Sequence, residues 1–333
     1  MNHPAILVTG GAGYIGSHVV QQLSSRGERV VVIDNLVSGF RDAVRGAELV
    51  VGNVGDRSLV AQILAEHRVG AVLHFAAHTV VPESVRDPLK YYGNNTCNTR
   101  NLLACCADAG VRQFLFSSTA AVYGMPASGV ADEDTPTQPI NPYGMSKLMS
   151  ETMLRDLSAT GAMRHVILRY FNVAGCDPQG RIGQSTPNAT LLLKVACEHA
   201  VGKRDSLSIF GTDYDTPDGT GIRDYIHVED LAAAHLRALD HLRADGESLT
   251  LNCGYGHGYS VREVIDTVRR VSGRELKVIE QPRREGDSPM LIARADRLRS
   301  LLGWEPRHDD LEFIVRTALT WERKLATQST VSS

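Results

Sequence analysis

A tyrosine and a lysine stand four residues apart in Pro142-Tyr143-Gly144-Met145-Ser146-Lys147, a spacing that puts both side chains on one face of a helix. Such a pair has a specific chemical use. A free phenol titrates near ~10 and is a poor base at neutral pH, so a tyrosine that moves protons needs a neighbouring cation to stabilise its phenolate. Lys147 is placed to be that cation. Tyrosine and lysine also meet at this spacing by chance on many helices, so the weight of the pair depends on what the chain brings beside it.

The chain opens with a strand and a glycine turn of the kind that can approach phosphates. Ala5-Ile6-Leu7-Val8-Thr9 is an apolar run of the kind found in strands buried on both faces, and Gly10-Gly11-Ala12-Gly13-Tyr14-Ile15-Gly16 follows at once. In a strand–turn–helix unit, Gly10 and Gly13 let the backbone approach a pyrophosphate. Gly16 lets the helix pack closely on the sheet, and the helix N-terminus favours negative charge. A second apolar run, Arg29 to Ile33, ends in Asp34, where an acid accepts hydrogen bonds from an adenosine ribose and disfavours a 2′-phosphate. The reading is NAD rather than NADP. Glycine turns also close βα units that bind nothing, and the acid at the next strand end is what adds specificity here.

The alternation continues with a strand at Leu49-Val50-Val51, a helix from about Arg57 to His67 capped by Asp56, and a strand from Ala71 to Phe75. This progression predicts an α/β fold with a Rossmann-type, doubly wound parallel sheet. Ligands of such sheets lie at the carboxyl ends of the strands, which is where Asn53-Val54 and Phe75-Ala76-Ala77 fall. A helix from Tyr91 to Ala109 carries Asn94, and the strand Gln113 to Phe116 ends in Ser117-Ser118-Thr119, hydroxyls placed to bond a substrate oxygen. A proline-rich segment from Gly124 to Pro142 then returns the chain to the Tyr143 helix. After the strand His165 to Tyr170 the rhythm breaks, and Cys176 to Asn188 is rich in Gly, Pro and polar residues. We expect residues 1–175 with about 222–255 to form the dinucleotide-binding domain, about 176–221 with 256–325 a second, smaller α/β substrate lobe, and 326–333 a disordered tail.

Composition narrows the function classes. Over 333 residues, 35 basic side chains face 38 acidic ones, which argues against a nucleic-acid surface. No run approaches the ~20 apolar residues of a membrane span, and no charged leader followed by an apolar stretch opens the chain. The six cysteines, Cys97, Cys105, Cys106, Cys176, Cys197 and Cys253, have no metal-ligand spacing. They read as reduced thiols of a cytoplasmic protein.

Together these stretches resemble the extended short-chain dehydrogenase/reductases, and within them the nucleotide-sugar epimerases. The resemblance rests on Gly10 to His18, Ile33-Asp34-Asn35-Leu36, His74-Phe75-Ala76, Val85-Arg86-Asp87-Pro88, Ser117-Ser118-Thr119 with Val122-Tyr123-Gly124, and Pro142 to Lys147. It extends through Leu168-Arg169-Tyr170-Phe171-Asn172, Asp218-Gly219-Thr220-Gly221, Arg223 to Val228, and Arg283-Arg284-Glu285-Gly286-Asp287. It implies interconversion of UDP-glucose and UDP-galactose through a 4-keto sugar by tightly held NAD, with a possible extension to UDP-N-acetylglucosamine and UDP-N-acetylgalactosamine. Tyr143 would take the proton of the 4-hydroxyl, Lys147 would lower its pKa and bind the nicotinamide ribose, and Thr119 would bond the 4-oxygen.

The same resemblance assigns to the cofactor Gly10, Gly13, Tyr14, Ile15, Gly16, Asp34, Asn35, Ser38, Asn53, Val54, Phe75, Ala76, Ala77, Asn94, Ser117, Tyr143, Lys147 and Tyr170. To the substrate it assigns Thr119, Asn172, Phe210, Arg223, Arg284, Asp287 and Leu291, with the two arginines on the diphosphate and Leu291 beside the sugar's 2-substituent. It further implies a homodimer built on the helices around Asn94 to Ala109 and Tyr143 to Leu157. Three positions depart from the pattern: Asn53 replaces a frequent Asp, Thr79 a Lys found in some members, and Thr190-Leu191-Leu192 lacks an expected Asn-Leu pair at the uracil. Elimination of water, or decarboxylation, would need acids after Thr119, where Ala120 and Ala121 stand. Two alternatives remain: another UDP-sugar 4-epimerase acting on xylose and arabinose, and a non-catalytic NAD-sensing protein, a class that typically loses the Tyr or Lys kept here.

Overall fold

The computed structural model describes residues 4–186, 189–284 and 286–331. The chain opens with β1 (Ala5–Thr9), α1 (Tyr14–Ser25), β2 (Val30–Asp34), β3 (Glu48–Val51), α2 (Arg57–Glu66) and β4 (Val69–His74). Next come α3 (Val81–Arg86), α4 (Pro88–Tyr91), α5 (Asn98–Asp108), β5 (Gln113–Thr119), β6 (Val130–Ala131), α6 (Pro142–Ala159), β7 (Arg164–Tyr170) and β8 (Asn172–Ala174). The remainder holds α7 (Leu192–Ala200), β9 (Leu207–Phe210), β10 (Ile222–Arg223), β11 (Tyr225–His227), α8 (Val228–Arg243), β12 (Leu249–Cys253) and β13 (Tyr259–Ser260). It closes with α9 (Val261–Ser272), β14 (Val278–Gln281), β15 (Met290–Ala293), α10 (Asp296–Leu302) and α11 (Leu311–Val331).

Seven strands make one parallel sheet in the order β3-β2-β1-β4-β5-β7-β12, the doubly wound arrangement the alternation predicts. Every residue of β1 and β2 is buried, as strands covered on both faces must be. The order reverses between β1 and β4, which opens a crevice at their carboxyl ends. On one face Leu7, Val31, Ile33, Phe114 and Phe116 pack with Ile63 of α2, Leu102 of α5 and Leu154 of α6. On the other, Ile6, Val8 and Val32 pack with Val20 of α1 and Leu231 of α8, and this cluster runs on without a break to Ile265 of α9 and Leu319 of α11. One core thus joins the first strands to the last helix.

The structure departs from the sequence reading in two places and adds detail to it in a third. The single helix expected from Tyr91 to Ala109 is α4, a π-helical stretch Tyr92–Cys97, and α5. Arg223 and its neighbours do not join the large sheet: β10 lies in a four-stranded sheet, β13-β10-β15-β6, while β11 pairs with β8. These strands are two to four residues long, too short to carry a hydrophobic period. The tail expected to be disordered from Ala326 continues as helix in α11 to Val331, with Thr327 Oγ1 donating to the Lys324 carbonyl; Ser332 and Ser333 lie outside the described residues, as does Glu285.

Candidate active site

The glycine turn leaves β1 and enters α1. Gly10 has a φ of +70°, and a Cβ there would sit 2.6 Å from the Ala76 amide nitrogen. A Cβ on Gly16 would sit 2.3 Å from the Gly10 carbonyl oxygen, so α1 lies directly on the turn. Gly13 is the N-cap of α1 and no side chain among the described residues caps that end, which leaves its first amide groups open to an anion. At the end of β2, Asp34 accepts from the Ala12 amide at 3.0 Å and the Leu36 amide at 2.8 Å. Its carboxylate therefore faces the turn. Tyr14 sends its hydroxyl to the Gly175 carbonyl at 2.6 Å, and Ile15 packs into the core, so both side chains are engaged away from the turn. Asn35 and Ser38 are exposed beyond it.

Around the crevice, Ala76 donates its amide to Thr9 Oγ1 at 3.4 Å, and the Phe75 ring packs tilted against the His235 ring, centroids 4.8 Å apart. Asn53 uses its amide oxygen on the Gly55 amide and on Asn98 Nδ2, at 2.7 and 3.3 Å, with Val54 buried beside it. Asn94 lies on the π-helical turn and donates to Asn95 Oδ1. π-Turns re-aim side chains in this way at functional sites. Asn95 in turn clamps both the amide and the carbonyl of His78 and donates to Ser146 Oγ of α6.

Helix α6 begins at the site because Asn141 caps it, accepting from the Gly144 amide at 2.9 Å, and Pro142 occupies its first position; both are strong helix-start devices. Tyr143 is therefore in the first turn, 7% exposed. Burial pushes its phenol above the ordinary value, and a hydrogen bond with Thr119 acts against that. Thr119 ends β5 and accepts from the Ala121 amide at 3.1 Å, which starts the short 3-10 turn Ala120–Tyr123. One turn along α6, Lys147 is 3% exposed, donates to the Ser117 carbonyl at 2.8 Å, and lies 4.8 Å above the Phe116 ring. Burial pulls its ammonium down to about 7, with the Glu151 carboxylate acting in the opposite direction. Ser117 Oγ pairs with the Tyr170 hydroxyl at 2.8 Å. Thr119, Tyr143, Lys147, Ser117 and Tyr170 thus meet at one strand end.

The second group stands on the small sheet. Arg223 and Leu291 are register partners in β10 and β15, and Leu291 packs against the buried cluster of Ala120, Val122, Tyr123 and Phe171 that follows Thr119. The Arg284 guanidinium lies 4.2 Å over the Phe210 ring and donates to Asp287 at 3.1 Å. The charges of Asp287, Arg223 and Arg284 all act on the Tyr214 phenol, which burial raises first. Asn172 is tied by its amide to the Asp224 carbonyl and lines a cavity with Leu191, Leu192 and Tyr225. Beneath Arg223, the buried Asp224 carboxylate accepts from the amides of Tyr255, Gly256 and Ala293 and pins three segments together.

Residues 6–254 match the NAD dependent epimerase/dehydratase family. The chain belongs to this family. A UDP-glucose 4-epimerase of Azospirillum brasilense is 59% identical over 323 residues, 97% of this chain and 93% of the relative. The crystal structure of a UDP-glucose 4-epimerase from Brucella ovis in complex with NAD is similar with a TM-score of 0.93 at 42% identity, covering 96% of this chain and 98% of that one. The UDP-Glc/GlcNAc 4-epimerase of Campylobacter jejuni gives a TM-score of 0.85 at 49% identity, with 97% of this chain and 100% of that one covered.

For a member of the NAD dependent epimerase/dehydratase family, the turn fits its cofactor. The bare backbone at Gly10 and Gly13, the open amides of α1 and the Asp34 carboxylate are the donor and acceptor set a dinucleotide needs. Among the described residues, no cluster of His, Cys, Asp and Glu could hold a metal and no helix is long and apolar enough to cross a membrane. What sequence reasoning missed lies one layer deeper. Glu151, fully buried, accepts from Ser118 Oγ, from Nε and Nη2 of Arg169, and from Arg155. Arg169 also donates to the Tyr123 hydroxyl, which donates to Asn252 Oδ1 at 2.7 Å. The signal was present as an arginine inside the apolar run of β7, since a buried charge requires a buried partner.

Proposed function

We propose that this chain is an NAD-dependent UDP-sugar 4-epimerase, an isomerase that interconverts UDP-glucose and UDP-galactose through a 4-keto sugar. The observation that carries the proposal is that Tyr143 in the first turn of α6, Thr119 at the end of β5 and Lys147 one helical turn along α6 are all buried, with Lys147 held on the Ser117 carbonyl of the same strand end. In this reading Thr119 holds the sugar's 4-oxygen and Tyr143 removes and returns its proton. Lys147 places a positive charge beside the developing phenolate and reaches the nicotinamide ribose. When bound, NAD supplies the hydride-accepting and hydride-donating chemistry at C4. The site around Gly10, Gly13, Gly16, Asp34, Asn53, Val54, Ala76, Ala77, Asn94 and Tyr170 holds it, with residues 1–175 and about 222–255 as the cofactor part.

The small sheet and the chain around it, about 176–221 with 256–325, form the substrate part in the same proposal. Arg223 and Arg284 bind the diphosphate, and Asn172, Phe210 and Asp287 line its path. Leu291 stands beside the 2-position, where an aliphatic side chain leaves room for an acetamido group, so UDP-N-acetylglucosamine is a second substrate. Ala120 and Ala121 offer no acid to expel water, which favours epimerisation over elimination. A homodimer forms through α5 and α6, supported by the exposed apolar side chains of Val85, Leu89 and Met149 on α3, α4 and α6. The protein works in the cytoplasm, in keeping with thiols that are all unpaired.

The test is a panel of UDP-hexoses offered to the purified protein without added cofactor, with products separated by chromatography. UDP-glucose and UDP-galactose should interconvert without net NADH. A requirement for stoichiometric NADH would make the enzyme a reductase. Leu291→Tyr should lower kcat/KM for UDP-N-acetylglucosamine relative to UDP-glucose, and an unchanged ratio removes the role given to Leu291.

A further inference from the structure

We propose that Glu151 is a positioning residue of this site: its buried carboxylate locks α6, which carries Tyr143 and Lys147, onto the strand ends that carry Ser117 and Thr119, and presents a negative charge to the Lys147 ammonium. The proposal rests on the epimerase reading above. Glu151 stands four residues after Lys147 and eight after Tyr143 on α6, so the three share a face of the helix. Its Oε1 accepts from Ser118 Oγ at 2.5 Å and Arg169 Nε at 3.0 Å, and its Oε2 accepts from Arg169 at 2.6 Å and Arg155 at 3.0 Å. Charge-assisted, bidentate bonds of this kind fix angle as well as distance.

The donors lie where a shift would reach the chemistry. Ser118 sits between Ser117, whose carbonyl holds Lys147, and Thr119, whose hydroxyl meets Tyr143. Arg169 is the register partner of Ser118 in β7. Its third bond runs to Tyr123, the last residue of the turn that Thr119 starts. Thr119 is therefore held through the chain on both sides by groups bonded to one carboxylate or to its arginine. A merely structural ion pair would have no reason to enclose one residue in this way.

The electrostatic half follows from what faces Lys147. From β5 come the Ser117 carbonyl and the Phe116 ring, and from β7 the Tyr170 phenol, bonded to Ser117. From β4 comes His74, which burial and then the Lys147 charge hold down to about 3, so it is neutral. The uncharged Asn95 of the π-helical turn bonds Ser146, the residue before Lys147, and α6 contributes Tyr143 and Glu151. Glu151 is the carboxylate of the set, and it works against the burial that strips the proton from Lys147.

Glu151→Gln keeps the shape and removes the charge. In the NAD-loaded protein we expect KM for UDP-galactose to stay within about twofold and kcat to fall ~10–100-fold, the scale of an ångström-level misplacement. Without the negative charge, Lys147 loses its proton and Tyr143 forms its phenolate at lower pH, so the kcat–pH profile should move toward acid by roughly half a unit or more. A profile that stays put while kcat falls leaves Glu151 a purely structural role and overturns the proposal, as does a native kcat. Ser118→Ala removes one bond and no charge. It should lower kcat roughly 3–10-fold with the profile unmoved, and it decides the positioning claim even where Glu151→Gln does not fold, since a native kcat in Ser118→Ala refutes it. A native protein inactive on UDP-galactose would instead sink the epimerase reading, and this proposal with it.

Discussion

Three alanine substitutions along one turn should separate three uses of glycine. At Gly13 the backbone has φ −78° and ψ 176°, which alanine adopts freely, and a Cβ would meet only the Gly10 carbonyl oxygen at 3.3 Å. Folding should change by no more than ~0.5 kcal/mol, with a small gain from the stiffer unfolded chain offsetting the tight contact. The added methyl stands where a pyrophosphate must approach, so NAD affinity should fall at least tenfold, about 1.4 kcal/mol. Gly10→Ala is different. It forces a φ of +70° on alanine, with a Cβ 2.6 Å from the Ala76 amide nitrogen; the left-handed conformation alone costs roughly 1–2 kcal/mol. Gly16→Ala keeps an ordinary helical conformation but places a Cβ 2.3 Å from the Gly10 carbonyl, and overpacking of that kind costs about 1–3 kcal/mol. The assay is thermal unfolding of each variant with and without added NAD, together with NAD retained on purification. Gly13→Ala should show the native Tm without NAD and a reduced increment with it. Gly10→Ala and Gly16→Ala should lose several degrees before any cofactor is added. The reasoning fails if Gly13→Ala unfolds as early as Gly10→Ala, or keeps its full complement of NAD.

Tyr143→Phe deletes the hydroxyl that meets Thr119 and leaves the glycine turn alone, so purified protein should retain NAD while epimerisation drops ~10²–10⁴-fold; near-native turnover would rule Tyr143 out as the proton carrier. Glu229 tests the link between pH and stability. Burial first raises its carboxyl to about 7, so the folded protein holds a proton there that the unfolded chain gives up near ~4.5, and stability is lost as pH rises across that window. Glu229→Gln should therefore raise Tm at pH 8, by an amount equivalent to ~1–3 kcal/mol, and barely change it at pH 5; an equal gain at both pH values would refute the assignment.

The large sheet was legible because β1, β2 and β4 are short, mostly apolar runs and the crossovers that leave β1 and β3 open with helix signals. Asp56 before α2 and the glycine turn before α1 are local chemistry, and local chemistry shows in sequence. The same holds for Tyr143 and Lys147, set by one helical turn. The small sheet was not legible. It gathers Val130, Ile222, Tyr259 and Met290, brought together only when the rest has folded, and a two-residue strand has no period to read. The π-helical turn was equally hidden, since Gly93, Asn94 and Asn95 within Tyr92 to Cys97 weaken a helix without a spacing that marks a π turn. Arg169 lay in plain view, but its partner Glu151 sits 18 residues upstream on another element, and pairing across elements is decided by register rather than by spacing.

The core that passes from Ile6 to Leu319 has a consequence for synthesis. A ribosome makes the chain from its first residue onward, and the sheet face lined by Ile6, Val8 and Val32 acquires α1 early and α8 after more than 200 residues. The last apolar groups of that cluster, Ile314, Val315 and Leu319, belong to the final helix. At ~5–20 residues per second, the nascent protein carries an unfinished apolar surface from the making of β1 until α11 follows. Only when α11 has been made can that surface close, so the glycine turn after β1, made early, is among the last parts to stand on a completed foundation.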